Sequence, residues 1–175
     1  MIEAIGTRAG WRTVVADYFE MCKPKVQSLL LFTTVTTMYV AGDPSLGLVA
    51  LTCVGGALSA GGAGAINHAL DRDLDRLMKR TADRPVASGR VPPTAAIVFG
   101  VVLGCASFAL LALTVNPLAA VLSMSGLLGY VLVYTLWLKR TTPQNIVIGG
   151  AAGAVPPLVA WAAVTGELSG TPLYL

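Results

Sequence analysis

The stretch LGLVALTCVGGALSAGGAGAINHAL, from Leu46 to Leu70, decides the fold: it runs for 25 residues without an Asp, Glu, Lys or Arg. A helix of that length is long enough to cross a hydrocarbon core about 30 Å thick. Four further apolar stretches read the same way: Val26–Gly42, Thr94–Val115, Pro117–Leu138 and Ile146–Val164. Backbone groups in lipid must satisfy one another, and long continuous apolar runs do so as helices, not as alternating barrel strands. The expected fold is all-α, a polytopic transmembrane bundle of about five helices. Residues 1–25 form a cytoplasmic N-terminal segment and residues 26–175 a single membrane domain.

Composition agrees. Of 175 residues, 55% are hydrophobic and 12% charged, with 19 glycines besides, and the mean hydropathy is +0.72. A soluble globule of this size is mostly exterior and could not hide so much apolar surface. Disorder, a disulfide scaffold and a nucleic-acid-binding domain are excluded, so the net charge of +3 matters through its placement. Cys22, Cys53 and Cys105 have no metal-ligand spacing. The first 25 residues carry Glu3, Asp17 and Glu20 among basic residues, and lack the apolar core of a cleavable signal.

The twelve basic residues orient the bundle. Arg8, Arg12, Lys23 and Lys25 precede the first stretch. Arg72, Arg76, Lys79, Arg80, Arg84 and Arg90 lie between the second and third, and Lys139 and Arg140 follow the fourth. A five-pass chain puts all of them on one side, against Asp43 and Glu167 on the other. By the positive-inside rule the basic side is cytoplasmic, and the protein is a multi-pass protein of the cell membrane.

Small residues crowd two of the stretches: Gly55, Gly56, Ser59, Ala60, Gly61, Gly62, Ala63 and Gly64 in one, Gly149, Gly150 and Gly153 in the other. They let helix backbones approach closely in a bilayer. Thin walls would equally leave room for a bulky apolar ligand. Pro156–Pro157 should kink or break the last helix.

Past Leu70 the sequence changes to DRDLDRLMKRTADRP, Asp71 to Pro85. If the helix continues, Asn67, Asp71 and Asp75 recur every four residues and stack on one face, with Asp73 turned away. An amide and two carboxylates are hard oxygen donors suited to Mg²⁺, which completes its shell with water and substrate phosphate. Lys79, Arg80 and Arg84 add cationic groups for phosphate oxygens. A solvated helix end with weak surface pairs is the alternative. Close carboxylates beside six basic residues favour bound metal and diphosphate.

The pattern NxxxDxxxD followed by RTxxRP resembles the first aspartate-rich motif of the intramembrane prenyltransferases, which join isoprenoid diphosphates to ring acceptors. Two more stretches, KPKVQSLLLFTT from Lys23 and YTLWLKRTTPQNIVIGGAAGA from Tyr134 to Ala154, are similar to the protoheme IX farnesyltransferase (heme O synthase) family. The resemblance runs from about Tyr18 to the C-terminus. It implies nine membrane helices around a central cavity, with two aspartate-rich motifs facing across it. It implies Asp71 and Asp75 as catalytic carboxylates, Mg²⁺ on Asn67, Asp71 and Asp75, and diphosphate on Lys79, Arg80 and Arg84. Farnesyl diphosphate and protoheme IX would be the substrates, a heme vinyl group would capture the farnesyl cation, and water would supply the product hydroxyl. Terminal-oxidase assembly proteins are the implied partners. One aspartate-rich motif falls within the chain, so the expectation is the N-terminal portion of a longer protein.

Four more residues have readings of their own. Tyr130, Tyr134 and Trp137 read as an interfacial belt. His68, the single histidine, reads as a packing or hydrogen-bonding residue, with heme ligation the alternative. Other functions consistent with the sequence are prenylation of a quinone or chlorophyll precursor, and a non-catalytic cation-binding membrane protein.

Overall fold

The computed structural model describes residues 10–141, 145–168 and 170, and every regular element among them is a helix. In chain order these are α1 (Trp11–Met21), α2 (Pro24–Ala41), α3 (Leu46–Leu70), α4 (Arg72–Leu77), α5 (Pro93–Thr114) and α6 (Pro117–Leu128). The last continues as a π-helical stretch, Gly129–Leu138, into α7 (Lys139–Thr141). Then come α8 (Asn145–Gly150), a 3₁₀ turn at Ala151–Ala154, and α9 (Val155–Thr165). Glu3, Arg8 and the side chain of Arg140 lie outside the described set.

Three helices are long and apolar enough to cross a membrane: Leu46–Leu70, Pro93–Thr114 and Pro117–Leu138. Their starts are encoded locally. Ser45 caps α3 by accepting from Leu48 N–H, Asn116 caps α6 by accepting from Ala119 N–H, and a proline opens both α5 and α6. The chain is thus a polytopic membrane bundle, but its two remaining expected spans differ in kind from these three.

The first, α2, has the length but also Lys25, Gln27, Ser28 and four threonines. Thr33, Thr34 and Thr36 each donate to the carbonyl four residues back, which hides the hydroxyls from lipid. The other, expected over 146–164, is divided by the 3₁₀ turn. Pro156 and Pro157 have no N–H to give, and their rings crowd the carbonyls of the preceding turn. They therefore open α9 instead of sitting inside a longer helix.

α1 was not expected from the sequence. Its Trp11, Val15 and Phe19 are exposed, whereas Met21 is buried with Ala65, Ala69, Val86, Val91 and Ala96. Asp17 is also buried, and it is paired with Arg90.

α3 lies at the centre, packed most extensively on α5. A Cβ on Gly62 would stand 2.6 Å from the Gly100 carbonyl oxygen, and one on Gly55 would stand 2.5 Å from Leu111. These two glycines permit the close approach. Gly56, one residue on, has nothing within 4 Å of where its Cβ would be. The small-residue stripe therefore has two faces, one packed and one open.

Candidate functional site: a charged cluster at an apolar cavity

The open face of α3 carries Gly56, Ala60 and Ala63, which line a cavity of about 280 Å³ with Leu30, Leu31 and Val159 across from them. Lys23 and Tyr130 also border this cavity. Continuing along the same face at helical spacing, Ala63 is followed by Asn67 and Asp71. The apolar cavity and the acidic motif are consecutive parts of one helix surface.

The chain bends at Asp71, whose φ and ψ are −91° and 1°, yet the hydrogen-bond ladder is unbroken. Asp71 N–H donates to Asn67 O at 2.9 Å and Asp75 N–H to Asp71 O at 2.8 Å. Asn67, Asp71 and Asp75 consequently stay in phase and are buried, while Asp73 points outward and, among the described residues, pairs with Arg72.

Three cations from distant parts of the chain meet this face. Lys23 Nζ donates to Asn67 Oδ1 at 2.8 Å and to Tyr130 Oη at 3.4 Å. Lys139 Nζ donates to Asp71 Oδ2, which also accepts from Asn67 Nδ2 at 2.6 Å. One guanidinium nitrogen of Arg84 donates to both Asp75 oxygens, at 2.8 and 2.9 Å. With three cations against two carboxylates the cluster is net positive, so an incoming anion would be favoured.

Each cation is delivered by an unusual piece of backbone. Lys23 is the one non-glycine residue with positive φ among the described residues (54°). That left-handed conformation costs about 1–3 kcal/mol unless the surroundings hold it. Gln27 Nε2 helps, donating to Cys22 O at 2.9 Å and Ala57 O at 3.1 Å. Burial, then the neighbouring Arg84 charge, push Lys23 down to about 8 from its ordinary 10.5. Lys139 follows the π-helical stretch, in which Thr135 Oγ1 bonds back to Tyr130 O and receives Asn67 Nδ2 at 3.3 Å. The wide winding turns both Thr135 and Lys139 toward α3. Arg84 sits in the loop after α4, where Thr81 Oγ1 donates to Asp75 O and Arg76 to Ala87 O.

Of the basic residues singled out from the sequence, Arg84 joins the cluster. Lys79 and Arg80 are exposed and make no ion pair with these carboxylates. Lys23 and Lys139 take part instead. Both stood in quoted motifs, but nothing in their spacing ties them to residues 44 and 68 positions away. His68 is buried beside the cluster.

No group of three or more His, Cys, Asp or Glu able to cage a metal occurs among the described residues. Two carboxylates and an amide nevertheless fit an ion that keeps part of its water shell. Asp71 Oδ1 is fully buried without a hydrogen-bond partner, an acceptor suited to a cation or its water.

These features define a polytopic helical membrane protein whose apolar cavity ends at a buried acidic motif faced by three cations. The chain belongs to the UbiA prenyltransferase family, whose family model matches residues 29–175. It is 54% identical over 167 residues to a protoheme IX farnesyltransferase of Chloroflexus aurantiacus, covering 94% of this chain and 28% of that one. It is 57% identical to the protein of that name from Symbiobacterium thermophilum (89% and 52% covered), and 55% to that from Gloeobacter violaceus (87% and 50%). The chain thus spans about half the length of these relatives, or less. No solved structure matches it.

Proposed function

We propose that this chain forms part of an enzyme that transfers a farnesyl group from farnesyl diphosphate to a vinyl group of protoheme IX, giving heme O. The observation that carries the reading is the continuity of the α3 face, apolar cavity at Gly56–Ala63 and acidic motif at Asn67–Asp75. A substrate with an apolar tail and a multiply charged head needs both in line. The acceptor comes from the relatives' printed names.

Asn67, Asp71 and Asp75 would hold Mg²⁺, whose charge at the diphosphate would ease departure of the leaving group. Lys23, Arg84 and Lys139 would turn from these acceptors to the phosphate oxygens and spread the leaving charge over three donors. Val26, Leu30, Leu31 and Val159 would pack along the isoprenoid and keep water from the allylic carbon. Lys79 and Arg80, exposed at the loop surface, would meet the head group only after rearrangement. We place the cluster and the N-terminus on the cytoplasmic side, from the partition of basic residues.

The test supplies the protein in membranes with protoheme, farnesyl diphosphate and Mg²⁺, and reads extracted heme by mass. A hydroxyethylfarnesyl heme supports the proposal. Prenylation of a quinone precursor with heme untouched would move the protein elsewhere in the family. Absence of Mg²⁺-dependent farnesyl diphosphate binding would overturn the reading altogether.

A further inference from the structure

Three buried side-chain atoms among the described residues lack a hydrogen-bond partner: His68 Nδ1, Asp71 Oδ1 and Trp161 Nε1. The first two belong together. His68 and Asp71 are three residues apart at the end of α3, and residues so spaced are surface neighbours on a helix, with Cβ atoms about 5–6 Å apart. Their exposures are 2% and 0%. His68 directly follows Asn67 on the buried end of α3, so it adjoins the charged cluster.

An orphaned buried polar atom costs about 1–3 kcal/mol, so each of the two calls for a partner. Their chemistry specifies the missing group. A carboxylate oxygen accepts, and a neutral imidazole with its proton on Nε2 offers Nδ1 as a second acceptor. One water has two hydrogens to donate to them. Its oxygen then remains free to face a cation, and Mg²⁺ characteristically keeps several such waters.

We propose that His68 is an outer positioning ligand of the divalent-cation site: its Nδ1, with Asp71 Oδ1, accepts the hydrogens of one cation-bound water. The inference rests on the metal reading above and adds to it a residue outside the NxxxDxxxD spacing. Outer acceptors of this kind orient the ligands they touch, and their loss commonly weakens metal affinity about 10–100-fold.

The test uses the chain in lipid nanodiscs with Mn²⁺ as the probe, bound ion being counted by electron paramagnetic resonance. Wild type should bind Mn²⁺ and Asp71→Asn should lose it. His68→Phe should bind about tenfold more weakly or worse. His68→Asn, whose Oδ1 reaches about where Nδ1 stood, should recover most of the affinity, and His68→Gln should not. If His68→Phe binds like wild type while Asp71→Asn does not bind, the inference is overturned and the metal site stands. If wild type binds no more Mn²⁺ than Asp71→Asn, the metal reading falls and takes this inference with it. A readout on the wild-type chain guards against a variant that fails to fold. His68 is the single histidine, so ¹⁵N-histidine labelling yields one imidazole. Its Nδ1 should be unprotonated, and its signal should move when Mg²⁺ is added. A proton on Nδ1, or a signal indifferent to Mg²⁺, would refute the proposal.

Discussion

Arg84 holds both oxygens of Asp75, nine positions earlier in the chain, with a single guanidinium nitrogen, at 2.8 and 2.9 Å. Asp75 is 2% exposed, and Arg84 is its one ion-pair partner among the described residues. The pair makes the loop after α4 part of the site. It also ties the stability of that loop to the chemistry proposed for it.

Removing the guanidinium should therefore cost more than a surface pair would. Arg84→Ala is expected to destabilise the protein by about 2–3 kcal/mol, somewhat below a fully buried pair because Arg84 is partly exposed. Thermal unfolding in detergent reads this, and Arg84→Lys should recover part of the loss.

Helical phase distinguishes the three aspartates of the motif. Asp71→Asn or Asp75→Asn should abolish Mg²⁺-dependent binding of farnesyl diphosphate. Asp73→Asn should leave it within about twofold, since Asp73 is 66% exposed and, among the described residues, pairs with Arg72. Calorimetric titration of the three variants decides the matter, and equal losses at all three would mean that the bend at Asp71 does not preserve the face.

The two faces of the small-residue stripe should respond oppositely to an added methyl. Gly62→Ala drives a Cβ onto the Gly100 carbonyl and should destabilise by about 1–3 kcal/mol. Gly56→Ala enters open space in mid-helix and should stabilise by about 0.5–1 kcal/mol. Gly56→Leu would fill the cavity, so it should weaken farnesyl diphosphate while sparing inorganic diphosphate.

Lys23 links the site to pH. Its ammonium, pushed down to about 8, discharges as pH rises through that value. Affinity for inorganic diphosphate should fall several-fold between pH 7 and 9, and Lys23→Arg should hold it level. Folding stability should move the other way over about pH 8 to 10.5, because there the unfolded chain binds the proton that the folded chain has released.

Sidedness is tested by labelling in a background with Cys22, Cys53 and Cys105 replaced by serine. A cysteine at Asp43 should react with a membrane-impermeant thiol reagent added outside, and one at Ala82 should not. The reverse pattern would invert the topology.

The sequence by itself determined the helical membrane bundle. Uncharged runs such as Leu46–Leu70 have no stable alternative in lipid, where every peptide group must bond within its own segment. It also determined the aligned face of Asn67, Asp71 and Asp75, because four-residue spacing is a local property of any helix. The short α1 was not legible: of its residues only Asp17 and Met21 are buried, and Asp17 is held there by Arg90, far along the chain. What only the tertiary structure decided is which cations answer the carboxylates. Lys79 and Arg80 are near in sequence, but the loop directs them outward. Lys23 and Lys139 are brought in by a left-handed residue before α2 and a π-helical stretch after α6. Neither has a sequence signature of its own, since both conformations are unfavourable locally and persist where surrounding contacts outweigh them.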